Sequence, residues 1–404
     1  MADLQTLMQR SYRGHPHFQF EQSALELAPQ TLAAFDEAYE FIRTFRAGLR
    51  ARHWQQCRQR CEQTLAAVFA ELRPQASEDM EDRFLQELER ECLRLLREEF
   101  AHFRVRPTGK GIDLANPAVL GDALRLQRDR HYLGQLPTSA VNEILAIGAP
   151  SLAEFRERAA QGRLTRDDLS FNAGPQIRPI KRILNREFAA LGVLDAVSAY
   201  MGRRMRVSGF AFELSVPQAT WWVNSFADLP RAPSTLYAHL DESIASPKSI
   251  VYLTNVTSGN GPTSCYPQAF QSMRLSPLAE IIGRVVGTVG TSADSPLREY
   301  YGKAYHQSMS SSRFRQHFMR LPEALRFNSH LGWDVLPDSD AEHTLVGCET
   351  SMIGAAGSFI VFDGSTLLHR GGMVQEGERV ALQVTFSDLT LLRRVAAKIK
   401  RILS

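Results

Sequence analysis

Residues 355–386 read AAGSFIVFDGSTLLHRGGMVQEGERVALQVTF, and this stretch decides the fold class. Its apolar runs FIVF and RVALQVTF are rich in β-branched and aromatic residues. Gly, Asp and Ser separate them, as turns separate short strands. His369 closes the first run and Arg379 opens the second. The same texture lies upstream in SGFAFELSV (208–216), TWWVNSF (220–226), STLYAHLD (234–241) and KSIVYLTNV (248–256). Between these and the opening stretch, about residues 270–345 are mixed, with helical spacing in SPLAEIIGRVVG, REYYGKAYHQ and SRFRQHFMRL. A β-rich core over 205–390, carrying an insertion at about 270–345, accounts for this texture.

The region before the core reads differently. In 1–105, Leu32, Phe35, Tyr39, Ile42 and Leu49 recur at helical spacing, as do Phe84, Leu88, Cys92 and Leu95. Ser77, followed by Glu78 and Asp79, suits a helix N-terminus. RPTGKGIDLANP (106–117) marks a boundary through its Gly and Pro content. Residues 106–204 keep a helical pattern, with breaks expected at Gly134, at Gly148-Ala149-Pro150 and at Gly174-Pro175. LNREFAALGVLDAVSAYMG is expected to form one buried helix ending at Gly202. The tail 391–404 is basic and amphipathic: Leu392, Val395, Ile399 and Ile402 share one side, and Arg393, Arg394, Lys398, Lys400 and Arg401 surround them. It reads as a closing helix, with peripheral contact to an anionic membrane as the functional alternative.

Composition limits the function classes. At 44% hydrophobic and 23% charged residues, the chain has the makeup of a folded globular protein. A net charge of +3 and the lack of a basic–aromatic stripe argue against nucleic acid as partner. Five cysteines without framework spacing argue against a disulfide-built secreted protein, and Cys57 and Cys61 read as structural. No stretch approaches the roughly 18 apolar residues of a membrane-spanning helix. With no signal-like N-terminus, a cytoplasmic location is expected.

The chemistry gathers around Tyr237-Ala238-His239-Leu240-Asp241. In a strand, residues two apart face the same way, so His239 and Asp241 would present an imidazole and a carboxylate to one point. His369, 128 positions after Asp241, can supply a third ligand. Two histidines and one carboxylate on one face of a metal leave other positions open, the pattern of non-haem Fe(II) sites. An inward arginine at Arg379 could grip the far carboxylate of a 2-oxoacid through paired hydrogen bonds. His239 and Asp241 alone would not carry this, since an H-x-D triplet is common. Asp363 reads as a turn residue, because Asp241 already supplies the carboxylate. Tyr237 shares the ligand face. Of Trp221 and Trp222 at most one faces a cavity, and Asn224 is a weak cosubstrate candidate. His306, His317, His330 and His343 read as ordinary packing or surface residues. The insertion could still form a lid, and Arg313, Arg315, Arg320 and Arg326 would suit an anionic or sugar-like substrate.

Three pieces of the chain resemble the phytanoyl-CoA dioxygenase family: YAHLDESIASPKSIVYLTNV, GNGPTSCYPQAF and AAGSFIVFDGSTLLHRGGMVQEGERVALQVTF. The resemblance implies an α+β protein with a double-stranded β-helix, or jelly-roll, core. It implies Fe(II) held by His239, Asp241 and His369, 2-oxoglutarate held at its distal carboxylate by Arg379 and hydrogen-bonded by Thr263, and O2 as oxidant. The implied activity is a 2-oxoglutarate-dependent dioxygenase that hydroxylates a small or carrier-linked metabolite and releases succinate and CO2. A silent jelly-roll scaffold, or an oxygenase acting on a protein or surface glycan, is the competing expectation. Asp241 argues against a halogenating relative, which carries a small residue there. Gln268-Ala269-Phe270 departs from the family's G-S-H and leaves the substrate side open.

Overall fold

The computed structural model describes residues 25–43, 51–102, 115–161, 170–171, 176–201, 204–217, 238–241, 247–272, 275–288, 317, 320–325 and 340–387. Helices α1 (Pro29–Arg43), α2 (Ala51–Leu72) and α3 (Asp79–His102) come first. Phe35 and Tyr39 of α1, and Phe84, Leu88, Cys92 and Leu95 of α3, are all buried, as their spacing predicts. At the start of α3 the Glu81 carboxylate accepts the Ser77 backbone N–H at 2.6 Å and its hydroxyl at 3.0 Å. These bonds tie the residue expected to cap the helix to its first turn. All five cysteines are free thiols, and Cys61 donates to the Ala38 carbonyl at 3.1 Å.

Next come α4 (Pro117–Arg128), β1 (His131–Gln135), α5 (Thr138–Ala160), β2 (Ser170–Phe171), α6 (Ile177–Ala190) and α7 (Val193–Met201). Three expectations are corrected here. Gly134 lies inside strand β1 rather than at a helix break. Only Tyr132 of its five residues is buried, too little alternation to read alone; pairing with a later strand makes it a strand. Helix α5 runs unbroken through Gly148-Ala149-Pro150. Its buried stripe continues on both sides of Pro150, with Val141 and Ile144 before it and Leu152 and Phe155 after it. That burial outweighs the roughly 3 kcal/mol cost of an interior proline. The expected single helix over 184–202 is two helices, because Gly192 adopts φ 75° and turns the chain between α6 and α7.

The core contains β3 (Arg206–Ser215), β4 (Pro247–Tyr252), β5 (Ser264–Cys265), β6 (Thr350–Ser351), β7 (Ser358–Asp363), β8 (His369–Arg370) and β9 (Arg379–Ser387). One antiparallel sheet has the order β1-β7-β4-β9-β3-β2, and a smaller one the order β6-β5-β8. Strand alternation sorts the large sheet into two faces. Phe210, Phe212, Leu214, Val380, Leu382 and Val384 pack on the helical side. Ile250, Tyr252, Ile360, Phe362 and Ala381 pack with Cys265, Met352 and Leu367 from the smaller sheet and its loops. The protein is therefore a mixed helix-and-sheet fold with antiparallel sheets. Across 270–345 the described helices are α8 (Ala269–Ser272), which overlaps its start, α9 (Pro277–Thr288) inside it, and α10 (Asp340–Cys348), which overlaps its end. Ala269, from the departing Gln268-Ala269-Phe270 turn, is buried with Ala238, Leu240, Tyr266 and Leu368. No helix among the described residues is long and apolar enough to cross a membrane. REYYGKAYHQ and the tail 391–404 lie outside the described residues.

Candidate metal centre

His239, Asp241 and His369 come together, with one ligand-type atom from each lying within 4.8 Å of the others. Among the described residues, His239 and His369 are joined by an isolated antiparallel bridge. Its backbone bonds measure 2.9 and 3.0 Å, and the two rings stand 4.4 Å apart. Asp241 Oδ1 lies 3.5 Å from His369 Nε2 and 3.8 Å from His239 Nε2. The His369 Nδ1–H donates to the Leu367 carbonyl at 2.9 Å, a bond that fixes the tautomer and leaves Nε2 as the lone-pair atom. Buried Nε2 has no hydrogen-bond partner among the described residues. An unused lone pair beside a carboxylate and a second imidazole fits a metal ligand.

The turn between β7 and β8 builds this geometry. Asp363 is fully buried and accepts from Tyr200 Oη at 2.6 Å, from Ser365 Oγ at 2.6 Å and from Ser365 N at 3.1 Å. It is thus the turn residue the sequence suggested. The next carbonyl, of Gly364, accepts the Asp241 N–H at 2.7 Å. A methyl group on Gly364 would overlap the Asp241 carboxylate, so only glycine permits the approach.

Lys248, which the sequence reading did not single out, lies 2.8 Å from Asp241 Oδ1 and 2.7 Å from Oδ2. Its ammonium also stands 5.2 Å from the centre of the Phe362 ring. Burial pushes the Asp241 carboxyl up, but the charge around it, the Lys248 ammonium first, outweighs that and holds it well below the usual carboxylate range. Asp241 is accordingly ionised at neutral pH.

Arg379 opens β9 opposite Ser215 of β3 and is buried. Its Nη1 donates to the Gly261 carbonyl and its Nη2 to Ser215 Oγ at 3.1 Å. Its buried Nε has no partner among the described residues. Thr263 N donates to Tyr252 Oη at 2.8 Å, and Tyr252 Oη donates to the Met352 carbonyl at 3.0 Å. Glu213, likewise missed, faces the same side of the sheet as Arg379 and Tyr252, through its pairing with Ala381. One signal was available for both missed residues: each is an ionisable side chain within a short, otherwise apolar strand pattern.

The remaining candidates lie elsewhere. Arg320 pairs with the buried Glu81 of α3 and does not reach the metal site. His317 is buried and stacks on Phe84 at 5.6 Å, while His343 is exposed, matching their ordinary reading. Trp221, Trp222, Asn224, Tyr237, His306, His330, Arg313, Arg315 and Arg326 lie outside the described residues.

The chain is similar to several solved structures. The epimerase SnoN, in complex with Fe3+, alpha ketoglutarate and nogalamycin RO, shares 13% identity over 68% of this chain and 84% of its own, with a TM-score of 0.33. EctD from S. alaskensis, with 2-oxoglutarate and 5-hydroxyectoine, shares 11% over 71% and 80%, also at 0.33. A Pseudomonas putida prolyl-4-hydroxylase shares 14% over 67% and 100%, at 0.31. No family model, that of the phytanoyl-CoA dioxygenases included, and no curated protein matches the chain. Function therefore has to be argued from the site.

Proposed function

We propose that the protein is an Fe(II)/2-oxoglutarate-dependent oxygenase that hydroxylates a small or carrier-linked metabolite. The observation that carries this reading is the convergence of His239, Asp241 and His369, with His369 Nε2 buried and without a hydrogen-bond partner among the described residues. Two imidazoles and one carboxylate suit Fe(II) and leave room for a cosubstrate and O2. Bound iron would supply the redox chemistry that couples decarboxylation of 2-oxoglutarate, to succinate and CO2, with oxidation of the substrate. The chain's own groups hold and orient the reactants. The Leu367 carbonyl sets the His369 tautomer. Lys248 balances the charge of Asp241. Arg379, with Nε to spare, would receive the distal carboxylate of 2-oxoglutarate, and Thr263 would approach it beside Tyr252. Two facing antiparallel sheets support a double-stranded β-helix as the core, built on 205–390 with 1–105 and 106–204 as helical additions.

Succinate release that requires both Fe(II) and 2-oxoglutarate is the direct test. His239→Ala and Asp241→Ala should each abolish it and weaken Co(II) binding at least tenfold. Wild-type turnover in either variant would refute the site.

A further inference from the structure

The sheet face that carries Arg379 holds an acid that anchoring a dianion does not call for. Glu213 pairs with Ala381, one step along the same face from the Ser215–Arg379 pair. Diagonal neighbours across antiparallel strands stand about 7–8 Å apart, within reach of a glutamate and an arginine side chain. Among the described residues, the ionisable groups facing Glu213 are Arg379 from β9 and Lys248 and Tyr252 from β4. Burial raises the Glu213 carboxyl above its ordinary range, against the lowering pull of Arg379 and Lys248. Lys248 is already engaged by Asp241 at 2.7 Å, so Arg379 is the cation left to Glu213.

We propose, resting on the 2-oxoglutarate reading above, that Glu213 lines the cosubstrate pocket and takes up a proton when the 2-oxoacid binds. The cosubstrate's distal carboxylate would engage the Arg379 charge and set a second anion beside Glu213. Two carboxylates sharing one site cannot both stay ionised cheaply. The ligand's carboxylate keeps its charge on the guanidinium, so the proton, drawn from buffer, goes to a Glu213 oxygen. The O–H so formed becomes a hydrogen-bond donor toward the ligand. No covalent bond in the cosubstrate changes. Because binding consumes a proton, affinity falls as pH rises through the Glu213 range, by up to about tenfold per pH unit.

The test is calorimetric titration of 2-oxoglutarate into the full chain loaded with Mn(II), at neutral pH, in two buffers of different ionisation enthalpy. Preloading the metal removes proton release from the histidine ligands. Wild type should take up close to one proton per bound 2-oxoglutarate, with a Kd that rises with pH. Glu213→Gln should bind without proton uptake and with a flat pH profile. Glu213→Ala serves the same purpose if the glutamine variant fails to fold. Binding by wild type without proton uptake, or unchanged uptake in either variant, overturns the role of Glu213. No binding of 2-oxoglutarate to the Mn(II)-loaded protein overturns the functional reading itself, and this proposal with it.

Discussion

At the scale of single residues, the candidate metal centre depends on how close the backbone of one turn comes to one carboxylate. The Gly364 carbonyl takes the Asp241 N–H at 2.7 Å, and a side chain at 364 has no space beside Asp241. Gly364→Ala should therefore displace the carboxylate rather than unfold the protein. Co(II) affinity should fall about tenfold to a hundredfold, the range typical for loss of a group that positions a ligand. The midpoint of urea unfolding of the metal-free protein should move far less. Unchanged Co(II) affinity would show that Asp241 finds its place without the turn. Lys248 works on the same carboxylate from the opposite sheet, with both of its oxygens within 2.8 Å of the ammonium. A charged pair of this kind, largely withdrawn from solvent, keeps Asp241 ionised in the absence of any metal.

At the scale of elements, residues 320–325 are held to the N-terminal helices by an ion pair. Glu81 is buried at the start of α3 and receives the Arg320 guanidinium, with a further contact at 3.2 Å. Burial pushes the Glu81 carboxyl up, but Arg320 and Ser77 outweigh it and leave it below the ordinary glutamate range. The sign follows from linkage: a folded-state pKa below the unfolded one stabilises the protein above the unfolded value and stops doing so as pH falls through the folded value. Glu81→Gln should thus cost about 2 kcal/mol at pH 7, discounted for the partial exposure of Arg320. The gap to wild type should close as pH falls below about 4.3. Urea unfolding at pH 7 and at pH 3.5 checks both; an equal cost at the two pH values would sink the assignment. Elements with strong local patterns were legible in the sequence. The periodic helices α1 and α3 and the strands β3, β4, β7 and β9 stand where the apolar spacing puts them. Strand β1, the helix through Pro150 and the break at Gly192 were not, because partners far along the chain or a local φ decide them. The site divides the same way. His239, Asp241 and His369 were legible from same-face spacing and chain order. Glu213 was not, since its place beside Arg379 depends on the register between strands more than a hundred residues apart, as in Glu213↔Ala381. Lys248 was not either: it lies only seven residues from Asp241, but a side-chain contact between a strand and the segment before it leaves no periodic signal.

At the scale of the molecule, the helices of 1–105 and the β-rich core share one continuous set of buried side chains. It runs from Leu25 and Phe35 through Phe69 and Phe84 to Ile281 and Val285 of α9, and on to Phe359, Val380 and Phe386 of the large sheet. Arg284 of α9, itself buried, donates to Tyr39 Oη of α1 at 3.0 Å, so the contact is polar as well as apolar. Sharing a core predicts sharing a folding transition, even though the sequence divides at 105–106 by composition. Phe69→Ala removes a fully buried ring from α2, far along the chain from the metal centre, and should cost about 3–5 kcal/mol. If the helices and the core unfold together, that loss appears in full at the sheet. Amide hydrogen exchange of a peptide spanning β9, measured by mass spectrometry, should accelerate to match the drop in global stability. The midpoint of Co(II) loss during urea unfolding should shift with the far-ultraviolet signal. If instead the variant unfolds in two steps, with β9 exchange unchanged and only the helical signal displaced, the helices form a separate unit and the buried contacts through α9 contribute little to the stability of the core.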